Sequence, residues 1–187
     1  MIKKPIKDCV VPMLNAYQDY FISIINLLLQ RDVLGATQKR IVVDNVFKKL
    51  PDWFYNNRLD IAIQIGRRYF LLKLERLGEI LFSMHHLARH SFDEILVEKI
   101  REPVLQCAEK TKQFFGAFVT VLELAELKEG IDDFSEEIAR FENQFRTAVP
   151  YSTELLDVSK DYVYLAEFIF ELKELRRVLL KIAEALR

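Results

Sequence analysis

His85, His86 and His90 are all the histidines of this 187-residue chain, and they stand within six residues of one another. If the segment is helical, His86 and His90 share a face, because four residues complete about one turn. Two imidazoles at that spacing can hold a zinc ion when a third ligand joins them. No HExxH pattern is present, and Glu79 falls on another turn. His86 and His90 are the candidate metal pair. The plainer reading is two partly buried bundle histidines plus one near a helix end, where a cation complements the dipole.

Other residues could also carry chemistry. Asp132-Asp133 and Glu136-Glu137 could gather magnesium on a helix. At the start of a helix such pairs more simply stabilise its free amides. Phe114, Phe115, Phe118, Phe141 and Phe145 could line a ligand cavity in a helical domain, or fill a core. Cys9 and Cys107 form no CxxC pair and no disulfide framework, and read as small hydrophobes in a reducing compartment. No GxSxG, P-loop, GxGxxG or EF-hand spacing occurs. No serine, cysteine or lysine has a partner that would activate it. These residues assign no catalytic group, no metal beyond the His86/His90 candidate and no cofactor, so an enzyme is not expected.

The elements that would position these residues are helices. Phe70, Leu74, Leu77, Leu81, Met84 and Ala88 alternate spacings of four and three, which draws one apolar stripe along a helix through residues 66–90. Five more helices read the same way. The first runs from Val10 to Arg31 with Val10, Leu14, Tyr17, Phe21, Ile24 and Leu28 inward. Pro5 and Pro12 limit its start, and Gly35 follows its end. The second runs from Thr37, as N-cap, to Leu50, where Pro51 stops it. Residues 51–60 read as a loop, with Trp53, Phe54 and Tyr55 as a plug over one end of a bundle. The fourth helix starts at a Ser91 or Asp93 cap and extends to Lys128. Pro103 either kinks or breaks it. The fifth carries Ile131, Phe134, Ile138, Phe141 and Phe145. The sixth starts at Ser152 or Thr153 and carries Val158, Tyr162, Leu165, Ile169, Leu172, Leu175 and Leu179 to the chain end. Such three-four stripes pack at shallow angles. The expected fold is all-α: one domain over 1–187, an elongated up-down bundle of about six helices, several longer than 20 residues.

Composition narrows the function classes. Five glycines and five prolines are few for an α/β or all-β chain. The longest near-apolar runs, 21–29 and 114–122, are about half of the ~20 residues a membrane-spanning helix needs. MIKKPIKD lacks the apolar core of a signal peptide. Residues 1–90 carry 14 Lys and Arg against 8 Asp and Glu, a net of +6, whereas residues 91–187 carry 13 against 20, a net of −7. The two halves could attract on packing, or the basic half could face an anionic partner or membrane surface. The cations are scattered, with no basic stripe and no interleaved aromatics, so nucleic acid is not an expected partner.

GRRYFLLKLERLGEILFSMHHLAR at 66–89 resembles the long helix of the cytosolic domain in the fusaric-acid-resistance family of inner-membrane proteins, which includes aromatic-acid exporters. KKLPDWFYNN at 48–57 resembles the helix end and proline-aromatic loop before it. ELRRVLLKIAEALR at 174–187 is similar to the stretch that leads back to a membrane segment. These stretches cover about a quarter of the chain. The resemblance implies a non-catalytic helical domain at the cytoplasmic face of the inner membrane, soluble as this fragment. Its partner would be the membrane-embedded portion of its parent protein, with homo-oligomerisation open, and its role would be assembly or gating. Such a domain needs Val10 and Arg187 near the same end of the bundle. Two alternatives belong to other classes: a freestanding interaction or effector protein that holds a partner helix in a groove, and a small-ligand-binding helical domain using the phenylalanine cluster.

Overall fold

The computed structural model describes residues 4–49, 61–124, 133–148 and 156–186, with side chains at 10–49, 69–122, 133–148 and 160–184. Every regular element among them is a helix: α1 (Lys4–Gln30), α2 (Val33–Phe47), α3 (Ile61–Ala88), α4 (Glu94–Leu124), α5 (Ser135–Ala148) and α6 (Leu156–Leu186). The 51–60 loop with Trp53, Phe54 and Tyr55 lies outside the described residues, as do Ile131, Asp132, Ser152 and Thr153.

The expected stripes form the core. Phe70, Leu74, Leu77, Leu81, Met84 and Ala88 are all buried, as are Val10, Leu14, Tyr17, Phe21, Ile24 and Leu28. One apolar cluster runs through all six helices. Tyr162 is an exception, at 45% exposed. It lies on the flank of α6 towards α5, where its ring meets Phe145 at 5.0 Å.

Contacts far apart in sequence fix the helix directions. Tyr17 reaches Leu74, Tyr20 reaches His85 and Arg31 reaches Phe92, so α1 and α3 run the same way. Ser83 meets Glu171 and His90 meets Asp161, so α6 runs against α3. Lys39 pairs with Asp19, which sets α2 against α1. Phe114 packs on Phe134, and Glu142 pairs with Lys173, setting α5 against both α4 and α6. Neighbours around the bundle follow α1, α3, α6, α5, α4 and back to α1, a closed ring of five helices, with α2 laid on the outside of α1. The first turn of α1 and the last turn of α6 therefore share one pole. Arg187 itself lies outside the described residues.

Several boundaries differ from the sequence reading. Pro5 and Pro12 do not delay α1, which begins at Lys4 and contains both. A first-turn proline costs no hydrogen bond, because that N–H is free anyway. The N-cap of α2 is Asp32, not Thr37: Asp32 Oδ1 accepts from Gly35 N–H at 2.9 Å, and Thr37 is helical with its hydroxyl donating to Val33 O at 2.8 Å. The chain reverses at Arg31, whose φ of 59° is left-handed. Gly35 is thus inside α2, where a Cβ would lie 2.2 Å from Asp32 Oδ2 and displace the cap. Helix α4 passes through Pro103 unbroken. Asp93, not Ser91, caps it, with Oδ1 accepting from Ile95 and Leu96 N–H.

Candidate functional site

The polar side chains held between helices are the places where this bundle could do more than pack. The three histidines divide among separate environments. His86 is exposed. His85 turns inward, and its Nδ1 lies 2.9 Å from the Tyr20 hydroxyl. Burial, joined by the charges of Arg40 and Arg89, holds His85 below the ordinary histidine range, so the ring is neutral at pH 7. Burial likewise raises the Tyr20 hydroxyl well above the usual tyrosine value. A neutral imidazole and a protonated phenol make a structural hydrogen bond, not a proton-transfer pair.

His90 sits at the other pole from the start of α1, just past the end of α3. Its Nε2 meets Asp161 Oδ1 at 2.6 Å, and Asp161 Oδ2 accepts from Asp93 N–H at 2.9 Å. Tyr164 stacks on the imidazole at 4.2 Å, and Phe92 meets it edge-on at 4.8 Å. Arg31 Nη2 donates to Phe92 O at 3.1 Å. A single carboxylate thus ties the α3–α4 corner to α6. A histidine–carboxylate pair is also two members of an acyl-transfer triad. Here both carboxylate oxygens are engaged in holding the corner.

His86 and His90, the candidate metal pair, are therefore not joined. One faces solvent and the other is occupied by Asp161. Among the described residues, no three His, Cys, Asp or Glu side chains gather as a metal site. Asp133 instead pairs with both Arg176 Nε and Nη2, which hold its carboxyl below the usual aspartate range. Glu136 and Glu137 lie in the first turn of α5 beside Arg140. Cys107 is buried in the core, and burial pushes its thiol up to about 12. That thiol is a poor nucleophile at neutral pH.

Phe114, Phe118, Phe141 and Phe145 are all buried, and so is Phe115. Phe114 meets Phe118 edge-on at 5.0 Å and Phe134 at 5.6 Å. These rings pack on one another and on the core. Two surface grooves lie elsewhere. One, of about 490 Å³, runs between α4 and α5 beside Pro103 and Arg140. The other, of about 450 Å³, lies where α1 ends and α4 begins, beside Arg31 and Glu98.

The α3–α6 seam holds one further polar contact. Ser83 Oγ donates to Glu171 Oε1 at 2.8 Å, while Glu171 Oε2 is buried without a partner. Sequence reasoning missed Tyr17, Tyr20, Asp161 and Glu171 as polar ties. Only Tyr17 carried a signal: its stripe position beside a small residue, Gly78, on another helix. A Cβ on Gly78 would stand 2.8 Å from the Tyr17 hydroxyl. The missing side chain lets that hydroxyl reach Leu74 O at 2.8 Å.

Some large apolar side chains are left exposed. Leu34, Ile41 and Val42 face outward on α2, and Val163 and Phe170 on α6, each between 47% and 70% exposed. No protein-family model, no curated protein and no solved structure matches the chain. The site defines a class only: an all-α bundle tied internally by buried polar contacts, with apolar stripes left on its sides.

Proposed function

We propose that this chain is a non-catalytic cytosolic domain of a membrane transport protein of the fusaric-acid-resistance type, acting in assembly or gating by helix packing. The observation that carries this reading is the shared pole of α1's first turn and α6's last turn. A domain inserted between two membrane-embedded parts must return its chain to the side it left. With 31 residues, α4 and α6 each reach about 46 Å at 1.5 Å per residue. Such a bundle would stand as a post on the membrane. No described helix is long and apolar enough to cross the bilayer; on this reading the crossings lie in the flanking parts of the parent.

The reading is tested in the gene. The reading frame around this sequence should encode apolar spans of ~20 residues on both sides. A frame without such spans on either side overturns it. A second reading, an interaction protein that binds a partner helix, is favoured by the exposed stripes on α2 and α6. A frame without spans would leave that reading standing.

A further inference from the structure

Helix α2 lies outside the five-helix ring, and little of its apolar surface faces the body. Ala36 and Val43 are buried, with Val46 and Phe47 partly buried. Val33, Leu34, Ile41 and Val42 are instead exposed. Two further ties hold it: the exposed Lys39–Asp19 pair at 2.8 Å, and the Arg40 guanidinium over the Phe82 ring at 5.1 Å. Each is weak on its own. The corner that joins α2 to α1 turns at Arg31, in the left-handed region at φ 59°, and Arg31 Nη2 fastens it to Phe92 O at 3.1 Å. The helix is thus anchored at its first turn and lightly held along its length. Segments of that kind open without global unfolding.

What α2 lies over is a buried polar pair. The Phe82 ring beneath Arg40 meets the Tyr20 ring at 5.9 Å, and the Tyr20 hydroxyl lies 2.9 Å from His85 Nδ1. The charges that bear on the His85 ring are all cationic: Arg40 from α2, and Arg89 and His86 from α3. From α1 comes the Tyr20 hydroxyl, on which Asp44 of α2 also bears. On the α6 side of this turn, Glu171 is bonded to Ser83. The Tyr20 oxygen can accept from a charged imidazole but carries no charge to offset it. A proton on His85 therefore sits away from water, with no bonded carboxylate, and meets Arg40 across the seam. Lifting α2 removes Arg40 and admits water, so the proton favours the lifted form.

We propose that α2 is an acid-sensitive flap: protonation of His85 lifts it from α1 and α3 about the Arg31–Asp32 corner and uncovers the Tyr20 side of α1, while the ring of five helices stays closed. This device does not depend on the function proposed above. The sign follows from the two forms. With α2 lifted, His85 takes up its proton at the ordinary value of 6.5; with α2 down, it does so only at lower pH. Closure is complete above pH 6.5 and weakens as pH falls. From pH 7.5 to 5.5 the opening constant rises by up to about tenfold.

Native-state hydrogen exchange on the full chain, read by NMR and corrected for the intrinsic pH dependence of exchange, measures that constant helix by helix. Protection of the α2 amides should fall several-fold, up to about tenfold, over this range, while protection in α4 and α6 holds. His85→Asn keeps an acceptor for the Tyr20 hydroxyl and has no proton to gain, so its α2 protection should not vary with pH. His86→Asn changes an exposed neighbour, and His90→Gln keeps an N–H for Asp161; both should retain the wild-type response. Constant α2 protection in the wild type, an equal loss in α4 and α6, or a response that survives His85→Asn overturns the flap. If His85→Asn does not fold, the other two variants decide. A response lost in either overturns the assignment to His85, and a response kept in both and confined to α2 supports it.

Discussion

Replacing Tyr20 by phenylalanine removes one oxygen atom from the core and leaves every apolar contact of the ring in place. Tyr20 is fully buried and His85 is 4% exposed, so His85 Nδ1 would lose its partner where water does not replace it. A buried polar atom left without a partner costs about 1–3 kcal/mol. In a chain of this size each kcal/mol lowers the melting temperature by roughly 2–4 °C, giving an expected loss of about 2–12 °C. A second effect follows from the proton. The folded protein holds His85 below the ordinary value of 6.5, so the unfolded chain binds the proton more readily. The His85 contribution is complete above pH 6.5 and is lost as pH falls towards the folded value, with a slope of at most about 1.4 kcal/mol per pH unit. A double variant, Tyr20→Phe with His85→Leu, has neither the unpaired ring nitrogen nor the titrating ring. It should match wild type closely at pH 8 and exceed it in stability below pH 6. Urea denaturation from pH 5 to 8, followed by circular dichroism, measures all three proteins. The reasoning fails if Tyr20→Phe is within 0.5 kcal/mol of wild type, a threshold set by the lower range for a hydrogen bond. It fails equally if the double variant loses as much stability as the wild type between pH 8 and pH 5.

Two further perturbations probe the close approaches. Gly78→Ala places a methyl 2.8 Å from the Tyr17 hydroxyl and should break its bond to Leu74 O, costing about 1–3 kcal/mol although alanine is the better helix former; Tyr17→Phe in the same background should then add little, which a double-mutant cycle by urea denaturation would show. Asp161→Ala removes the acceptor shared by His90 and Asp93 N–H. It should cost about 1–3 kcal/mol and raise hydrogen exchange in the first turn of α4 more than in its middle.

The stripes were legible because a buried helix face must repeat every three or four residues, whatever it packs against. That rule placed Phe70 to Ala88 on α3 and Ile138 to Phe145 on α5 without knowledge of the neighbours. Helix starts were less legible. Thr37 and Asp32 are both good caps in isolation, and the choice fell to Asp32 because Arg31 turns the chain left-handed just before it. Proline was over-read as a stop: Pro12 and Pro103 sit within long helices whose remaining bonds and burial outweigh one lost N–H.

The histidines show the boundary between the two kinds of information. Spacing alone put His86 and His90 on one face, and that much is a property of the helix. Which ring is buried, which is exposed and which meets a carboxylate depended on residues 65 to 71 positions away in the chain, Tyr20 and Asp161. The amino-acid order by itself determined that the chain forms helices with greasy sides, since periodicity is local. Only the tertiary structure decided the ring order of the helices and the shared pole of α1 and α6. Those follow from contacts between distant segments, and no local pattern encodes which stripe meets which.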